Sequence, residues 1–556
     1  MIDFPLINNP SLFKASHIID ELIKHGIERF FVSPGMRNAP LMAALHAHPK
    51  ASIELGMDER AHSFKALGYS KDNEFPACLV CTSGTALANY YPAVLEAHKS
   101  ETPLIILSAD RPYQKVLGGD NQTIEQNNIY QQFVIGHHNL HKDNLLNRKK
   151  ITEVINTSLR RKGPIHFNIP FEEPLDSSAV KFNFSNELSA FNKRTFKAIL
   201  KDQLLQTDEI QDAFYKSKRP LIVIGELSAK APKDNIIQFL KNYQGLKYID
   251  VSSGLKYQFN LSNYSLPGLD HPEVFGYLNN YNPDFILHLG GRIVSKFYYK
   301  FLESTDCDSI FQINNLFQKT DPSFKMIEYK TCPDYAVRAL EKDSSDNDLE
   351  WDDVVCFVRK KRKLIEQGPL SFPQLSKRLI EASPEHMNFY LGNSTTIRSF
   401  DSFSCETLKK ELNIFTHRGV SGIEGFIAAS SSVKGPTTLV LGDVSFYHDL
   451  NSLYYLQKST EPYVCVLVND NGGGIFEQLP IHKDTEVLPY LTSPHEINFG
   501  PICQGLGVDY VCVDNIDMFI EQYLHKIKQN RASIIEVKIK RKNNFDMYQK
   551  LKTIRL

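Results

Sequence analysis

Short apolar runs alternate with amphipathic segments along most of the chain, and this alternation is the feature that most restricts its fold. In the first third, strands are predicted at 29–33, 52–55, 77–82, 103–108 and 165–170, with helices at 16–25, 60–69 and 85–99 between them. Strand–helix–strand units build parallel sheets whose faces are covered by helices. The pattern therefore predicts an α/β protein with parallel sheets.

The length of the chain indicates several domains. It has 556 residues, and at about 100 to 200 residues per domain it would form about three. Residues 184–212 are polar and contain no predicted strand, and residues 341–350 are charged and almost free of apolar side chains. With boundaries there, we predict a first domain over 1–183, a central domain over 184–345 and a third over 346–556.

Both later domains repeat the α/β pattern. The predicted strands of the central domain lie at 220–225, 247–251, 284–290 and 309–314. Those of the third domain lie at 388–391, 437–441, 463–468, 510–513 and 533–539. The fold class is therefore the same throughout: three α/β domains with parallel sheets.

Composition excludes several classes of partner. The net charge is -1, which gives no reason to expect nucleic acid or an anionic membrane. No signal-peptide pattern is found at the N-terminus, and no apolar run reaches the ~18 residues of a membrane span. The nine cysteines are scattered, and Cys78 and Cys81 lie in an apolar run that predicts buried strand residues rather than a metal or redox site. We expect a cytoplasmic protein.

Two strand ends in the third domain carry acidic residues. Gly442-Asp443 ends one apolar strand and Asn469-Asp470-Asn471-Gly472 ends the next, with 25 residues between Asp443 and Asn469. Parallel strands bring such ends to one edge of the sheet, where ligands bind. Oxygen ligands from Asp443, Asp470 and a loop carbonyl at Gly472 suit Mg²⁺ or a similar hard cation. A helix beginning at Ser445-Phe446 would offer its amides to a diphosphate.

Either strand end alone is a common turn, but together they resemble the motif of thiamine diphosphate enzymes. A cofactor of this kind also needs a carboxyl group beside N1′ of its aminopyrimidine. This group activates the cofactor by general acid–base catalysis. Glu59, in Met57-Asp58-Glu59-Arg60-Ala61-His62, matches that carboxyl group. Taken alone, a glutamate in the first turn of a helix is usually a surface residue that stabilises the helix dipole.

Further motifs resemble one family of thiamine diphosphate enzymes in order and approximate spacing. They cover the first and third domains strongly and the central one weakly. They are Ser33–Pro40, Asp58–Arg60, Thr82–Ala86, Ser108–Pro112, Asn121-Gln122, Gly392–Ser394 with Arg398, Arg418–Gly425 and Gly472–Phe476. The family is 2-succinyl-5-enolpyruvyl-6-hydroxy-3-cyclohexene-1-carboxylate (SEPHCHC) synthase of menaquinone biosynthesis.

The resemblance implies a reaction. Members of the family decarboxylate 2-oxoglutarate, with the thiazolium as electron sink, and add the resulting succinyl carbanion equivalent in 1,4 fashion to isochorismate. Both substrates are dicarboxylates, which arginines can hold by paired hydrogen bonds.

The resemblance also assigns roles to individual residues. Glu59 would activate the cofactor, Gln122 would hydrogen-bond the reacting centre, and Ile423 would wedge the cofactor into its bent shape, with Ser445 and Phe446 beside its diphosphate. Asp443, Asp470 and Gly472 would bind Mg²⁺ or Mn²⁺. The substrate-binding residues would be Arg37, Arg111, Asn121, Lys296, Ser394, Arg398, Arg418, Ile475 and Phe476.

Three positions depart from the family pattern. Met36 stands where serine is frequent, so a hydroxyl contact to substrate is lost. Phe297 follows Lys296 where some relatives carry arginine. Asp470 replaces a commoner asparagine, and its extra charge should attract a divalent ion while repelling the diphosphate.

Other functions are possible from the same residues. Another 2-oxoacid decarboxylase could use the His137-His138 pair, but the pair matches no motif and is predicted to lie in a solvated loop. A flavin-binding acetohydroxyacid synthase or a nicotinamide dehydrogenase would need a G-x-G-x-x-G loop, which is missing. An inactive homologue with a binding role would have lost Glu59, Asp443 or the arginines.

The resemblance further implies an oligomer. In the family the cofactor lies between the first domain of one subunit and the third domain of another. A homodimer would then be the smallest active unit, and a homotetramer is common.

Overall fold

The computed structural model describes residues 9–141, 145–175, 208–259, 263–316, 319–340, 350–403 and 410–556. Within these residues the strands form three sheets, and all their pairings are parallel. This confirms the predicted fold class. The chain divides into two compact units, one made of Met1–Leu200 with Gly419–Val433 and the other of Lys201–Arg418 with Lys434–Leu556.

The first unit holds a six-stranded sheet in the order β2-β1-β3-β4-β6-β5. Its strands are β1 (Arg29–Val32), β2 (Ser52–Leu55), β3 (Ala77–Cys81), β4 (Leu104–Asp110), β5 (Gly136–Asn139) and β6 (Pro164–Pro170). The central strands β3, β4 and β6 are buried along their whole length, as expected for apolar runs covered on both faces. Cys78 and Cys81 are buried in β3, as predicted.

Helices surround this sheet. They are α1 (Pro10–Lys24), α2 (Ala39–Ala47), α3 (Glu59–Asn73), α4 (Thr85–Asn89), α5 (Tyr91–Lys99), α6 (Tyr113–Leu117), α7 (Leu145–Arg161) and, from the later part of the chain, α16 (Phe426–Ser430). Helices α3 and α16 approach closely because Gly68 has no side chain: a Cβ there would lie 2.1 Å from the Ala429 carbonyl oxygen.

The second unit contains two sheets. The five-stranded sheet has the order β11-β10-β9-β7-β8 and the six-stranded sheet the order β13-β12-β14-β15-β17-β16. The strands of the first are β7 (Pro220–Ile224), β8 (Lys247–Ile249), β9 (Phe285–Leu289), β10 (Ile310–Asn314) and β11 (Ile327–Lys330). Those of the second are β12 (Asn388–Leu391), β13 (Asn413–Thr416), β14 (Thr437–Gly442), β15 (Tyr463–Asn469), β16 (Asp509–Val513) and β17 (Ala532–Lys538).

Helices alternate with these strands along the chain. Around the five-stranded sheet they are α8 (Asp208–Lys216), α9 (Asp234–Asn242), α10 (Pro272–Tyr281), α11 (Lys296–Ser304) and α12 (Pro333–Ala336). The remaining ones are α13 (Asp352–Gln367), α14 (Phe372–Ala382), α15 (Thr395–Ser402), α17 (Asp443–His448), α18 (Leu453–Leu456), α19 (Leu488–Thr492), α20 (Phe499–Gly505), α21 (Ile516–Lys526) and α22 (Arg541–Lys552). None of the described helices is both long enough and apolar enough to cross a bilayer.

Three local predictions are wrong. The helix predicted at 85–99 is split into α4 and α5, because Pro92 in the first turn of α5 has no N–H to continue the earlier helix. The His137-His138 pair lies in β5, an edge strand paired with β6, and not in a loop. Helix α17 begins at Asp443 instead of Ser445.

The predicted domain boundaries at 183/184 and 345/346 lie outside the described residues, and the division into three domains stays a prediction.

Candidate active site

Most of the predicted polar site residues lie beyond the carboxyl ends of parallel strands, where an α/β sheet binds ligands. In the first unit, Arg37 follows β1, Glu59 follows β2 and Arg111 follows β4. In the second unit, Lys296 follows β9, while Ser394, Arg418, Asp443 and Asp470 follow β12 to β15 in turn.

Glu59 is the first residue of α3. The preceding Asp58 caps this helix by accepting a hydrogen bond from the Ala61 N–H at 3.0 Å. Burial and then the charge of Glu59 raise the pKa of the Cys81 thiol, so the Glu59 carboxylate lies near the end of β3. Among the described residues it forms no hydrogen bond or ion pair. The half-buried carboxylate is therefore available to a ligand.

Arg37 and Arg111 form a pair of cations in the first unit. Burial and then the charge of Arg111 lower the pKa of the Arg37 guanidinium. Arg37 Nη1 donates to the Phe171 carbonyl at 3.2 Å and lies 3.3 Å from Glu173 Oε1. Arg111 Nη1 donates to Ser83 Oγ at 2.6 Å. Glu173 and Asp120, whose Oδ2 lies 3.7 Å from Arg111 Nε, offset part of these two charges, and a bound anion could take their place.

Gln122 and Asn121 lie on a turn beside Arg111. Gln122 has a left-handed backbone with φ of 58°. Its Nε2 donates to the Ser83 carbonyl at 2.8 Å, and its own carbonyl accepts from Arg111 Nη1 at 3.1 Å. Asn121 is exposed. The turn is thus attached to the strand end that carries Ser83, which fixes the position of Gln122.

The loop that follows residue 418 is held by a buried glutamate that the sequence did not single out. Glu96 on α5 accepts the Gly419 N–H at 3.1 Å and the Val420 N–H at 2.8 Å, and Lys71 Nζ lies 3.1 Å from its carboxylate. Ile423, farther along the loop, is 37% exposed. Its apolar side chain is open to a ligand or to another chain.

A second pair of cations lies in the other unit. Burial and then the charge of Arg418 lower the pKa of Arg398, which is on α15. Arg398 Nη1 donates to the Ser394 carbonyl at 2.7 Å, and Arg418 Nη1 donates to Asn393 Oδ1 at 3.1 Å. Ser394 itself has φ of 65° and precedes α15. The neighbouring ends of β12 and β13 thus bring together three predicted substrate-binding residues.

Lys296 begins α11 and is exposed. The preceding Ser295 caps the helix by accepting from the Phe297 N–H at 3.2 Å, and its hydroxyl donates to Asp270 Oδ1. Phe297 packs edge-on against Phe275 at 5.5 Å. Phe297 therefore packs against a neighbouring helix, whereas Lys296 is exposed.

Asp443 and Asp470 follow the neighbouring strands β14 and β15, in which Gly442 is opposite Val468. Both are buried. Asp443 Oδ1 accepts the Val444 N–H at 2.7 Å and Oδ2 accepts the Gly472 N–H at 2.8 Å. Burial raises the pKa of Asp443, and burial together with the charge of Asp443 raises that of Asp470 to about 8. Two buried carboxylates that repel each other favour a bound cation.

The loop after β15 is fixed by Arg541, a residue that the sequence did not indicate. Arg541 Nε donates to the Asp470 carbonyl at 3.1 Å, and its Nη2 donates to the Asn471 carbonyl. Gly472 has φ of +118°, and a Cβ there would lie 2.1 Å from the Thr492 carbonyl oxygen. The glycine is required by both its conformation and this close approach.

Ile475, Phe476, Ser445 and Phe446 have different surroundings. Ile475 and Phe476 are half-buried in a 3₁₀ turn at Gly474–Gln478. The Phe446 side chain is fully buried and packs edge-on against Phe499 at 5.2 Å, so only its backbone could face a ligand. Ser445 is half-buried in the first turn of α17.

Comparisons with known proteins show which proteins this chain is similar to. The protein-family model described as the thiamine pyrophosphate enzyme, N-terminal TPP binding domain, matches residues 14–133 of the sequence. A SEPHCHC synthase of Syntrophus aciditrophicus is 32% identical over 99% of this chain and 100% of its own length. One of Psychromonas ingrahamii is 30% identical over 98% of this chain and 96% of its own length.

Solved structures of lower identity share the fold. A 4-hydroxybenzoylformate decarboxylase of Rhodococcus jostii has a TM-score of 0.72 at 16% identity, over 95% of this chain and 99% of its own length. A benzoylformate decarboxylase of Polynucleobacter necessarius has a TM-score of 0.70 at 16% identity, over 95% and 98%. The full-length relatives, by contrast, show the family: the chain belongs to the SEPHCHC synthases and is a thiamine diphosphate-dependent transferase that forms carbon–carbon bonds.

Proposed function

We propose that this enzyme decarboxylates 2-oxoglutarate and adds the resulting succinyl carbanion equivalent in 1,4 fashion to isochorismate, as a step of menaquinone biosynthesis. The observation that carries this proposal is the position of four arginines beyond strand ends, with Arg37 and Arg111 in the first unit and Arg398 and Arg418 in the second. The charge of one member of each pair lowers the pKa of the other. Each pair offers two sets of parallel N–H donors, which match the geometry of carboxylates. Both proposed substrates are dicarboxylates, so two such pairs of arginines could bind their carboxylate groups.

The cofactor would be served by Glu59. Bound thiamine diphosphate supplies a nucleophilic carbon and an electron sink for decarboxylation. Glu59 would hold a proton on its carboxyl oxygen and exchange it with the aminopyrimidine. Its carboxylate is available for this exchange because it has no protein partner among the described residues. The exposed Ile423 would give the cofactor an apolar support.

The metal would be Mg²⁺ or Mn²⁺, held by Asp443, Asp470 and the Gly472 carbonyl. Oxygen ligands suit a hard cation. Among the described residues no group of three or more His, Cys, Asp or Glu side chains could hold a metal, so two carboxylates need help from backbone and phosphate oxygens. The amide of Ser445, the third residue of α17, has no helical carbonyl one turn earlier and could receive the diphosphate, whereas that of Phe446, the fourth residue, follows the carbonyl of the N-cap Gly442 by one turn.

Isochorismate would be held by Gln122, Asn121, Ile475 and Phe476, and Lys296 would add a cation for its carboxylates or those of 2-oxoglutarate. The half-buried Ile475 and Phe476 present apolar surface suited to a ring. Met36 is 66% exposed and has no polar atom to offer in place of the serine frequent in relatives. The serine contact is therefore not replaced at that position.

We further propose a homodimer as the smallest active unit, with a homotetramer as the larger assembly. Leu55 and Met57 precede Glu59 and are 53% and 74% exposed. Apolar residues beside a catalytic carboxylate suit burial by a second subunit.

The free cysteines of the described chain support a cytoplasmic location.

A substrate-dependence assay tests the proposed reaction. Purified protein with thiamine diphosphate and Mg²⁺ should consume isochorismate, followed by its absorbance, only when 2-oxoglutarate is supplied. Pyruvate and oxaloacetate serve as controls, because one lacks the second carboxylate and the other is one methylene shorter. Equal turnover with pyruvate would contradict the proposal.

A further inference from the structure

His495 lies beside Asp443 although it belongs to no motif of the sequence. Its Nε2 is 3.2 Å from Asp443 Oδ2, and both side chains are largely buried. Its Nδ1 accepts the Ile497 N–H at 3.0 Å, so the ring carries its hydrogen on Nε2, facing the carboxylate. The ring also packs edge-on against Phe499 at 5.8 Å. These contacts fix its orientation.

The contacts of Asp443 indicate which oxygen faces a cation. Oδ2 is close to two donors, the Gly472 N–H at 2.8 Å and His495 Nε2. Oδ1 has one, the Val444 N–H at 2.7 Å. A carboxylate oxygen has two lone pairs, so Oδ1, with one donor, keeps one lone pair for a cation, while the buried Nε2 of His495 lies against Oδ2 without an aligned hydrogen bond. The ring therefore limits rotation of the carboxylate by its proximity to Oδ2.

The backbone of His495 is attached to the loop that carries Asp470. Asn471 Oδ1 accepts the N–H groups of His495 and Glu496, both at 3.0 Å. The Gly473 N–H donates to the Thr492 carbonyl at 2.7 Å. The two ends of the segment 474–494, which contains Ile475 and Phe476, therefore meet at this loop.

We propose that His495 is a positioning residue that orients Asp443 for the divalent cation and thereby couples metal binding to the anchoring of the segment 474–494. This inference rests on the proposed metal site. Partners that orient a metal ligand are worth about 10- to 100-fold in metal affinity. A cation bound at the site should also stabilise the position of the segment 474–494. The reason is that the ring of His495 contacts Asp443, while the backbone of His495 bonds the loop at which the segment ends.

The test is a titration of metal-free protein with Mn²⁺ in the presence of thiamine diphosphate, with free Mn²⁺ measured by electron paramagnetic resonance. His495→Ala should weaken Mn²⁺ binding about 10- to 100-fold. His495→Gln, whose amide nitrogen occupies a position similar to Nε2, should restore most of the affinity. His482→Ala is the matched control, because His482 lies in the same segment and its Nδ1 contacts the Leu479 carbonyl instead.

A second measurement uses only the wild type. Hydrogen exchange in the segment 474–494 should slow when Mn²⁺ is added, and unchanged exchange would overturn the coupling. Equal Mn²⁺ affinity of wild type and His495→Ala would overturn the role of His495 while leaving the metal site intact. A wild type that takes up no Mn²⁺ would overturn the metal site itself, and with it this inference.

Discussion

Glu59 and Asp443 are both carboxylates that follow a parallel strand, yet their surroundings differ. Among the described residues Glu59 has no hydrogen-bond partner, whereas Asp443 accepts from two backbone N–H groups and lies 3.2 Å from His495 Nε2. A carboxyl group that exchanges a proton with a ligand needs an oxygen within hydrogen-bond reach of that ligand. A group that binds a permanent cation gains from a fixed orientation. The difference matches the two roles proposed for them.

The largest effect is expected at the fixed carboxylate. Asp443→Ala removes a metal ligand and leaves the Gly472 N–H without its acceptor. The affinity for Mn²⁺ should fall by more than about 100-fold, beyond the loss of an orienting partner, and thiamine diphosphate binding should fall with it. Isothermal titration calorimetry would measure both. Unchanged binding would exclude Asp443 as a ligand.

The arginine pair of the second unit should respond less strongly. Arg398→Lys keeps the charge but loses the parallel donors, and a hydrogen bond to a charged group is worth about 1.5 to 3 kcal/mol. The KM for 2-oxoglutarate should rise about 10- to 100-fold with a smaller change in kcat. Arg378→Lys is the control, because Arg378 on α14 contacts Glu381 and Asp517. A fall in kcat alone would contradict substrate anchoring.

A change of the buried Glu96 tests whether the loop after Arg418 depends on the hydrogen bonds that this side chain accepts. Glu96→Gln leaves one of the N–H groups of Gly419 and Val420 facing an amide NH₂. An unsatisfied buried donor costs about 1 to 3 kcal/mol, so the free energy of unfolding in urea should decrease by that amount. Thiamine diphosphate binding should weaken modestly through Ile423. Stability equal to wild type would show that the loop does not depend on Glu96.

Asp470 gives the smallest effect and a pH dependence. Its pKa of about 8 in the folded protein lies above the ordinary value of 3.8, so between these values the folded state binds more protons than the unfolded state. Stability of the metal-free protein should therefore fall as pH rises from about 4 to 8. Asp470→Asn should flatten this slope and be more stable by on the order of 1 to 2 kcal/mol at pH 8.

Thermal unfolding in a chelator at pH 5 and pH 8 measures this difference. The same slope in wild type and Asp470→Asn would show that Asp470 is not the titrating group. Saturating Mn²⁺ provides the control, because a bound cation neutralises the repulsion and should remove most of the pH dependence.

The predictable part of the site consists of residues that follow strands. Glu59, Arg111, Asp443 and Asp470 could be recognised because each one directly follows an apolar run or lies in a motif next to it. The fold class was predictable for the same reason. The edge strand β5 was missed because its sequence, Gly-His-His-Asn, has no apolar residue and it pairs on one side only.

The residues that orient the site could not be predicted. Glu96 bonds a backbone N–H that is 323 positions away, and Arg541 bonds a carbonyl 71 positions away. His495 lies about 50 positions from Asp443, across several helices. These contacts depend on how helices and loops pack in three dimensions, and no spacing in the sequence records them. Their partners are mostly backbone groups, which leave no motif.

The most direct test of the account compares turnover with cofactor binding in Glu59→Gln. This variant keeps the shape of residue 59 but cannot exchange a carboxyl proton, and general acid–base catalysis contributes about 10²- to 10⁴-fold. In this variant the consumption of isochorismate with 2-oxoglutarate should fall by that factor, while thiamine diphosphate affinity and folding stay at the wild-type level. The control is Glu74→Gln, at the other end of α3, which should stay fully active. Turnover at the wild-type rate in Glu59→Gln would contradict the central claim.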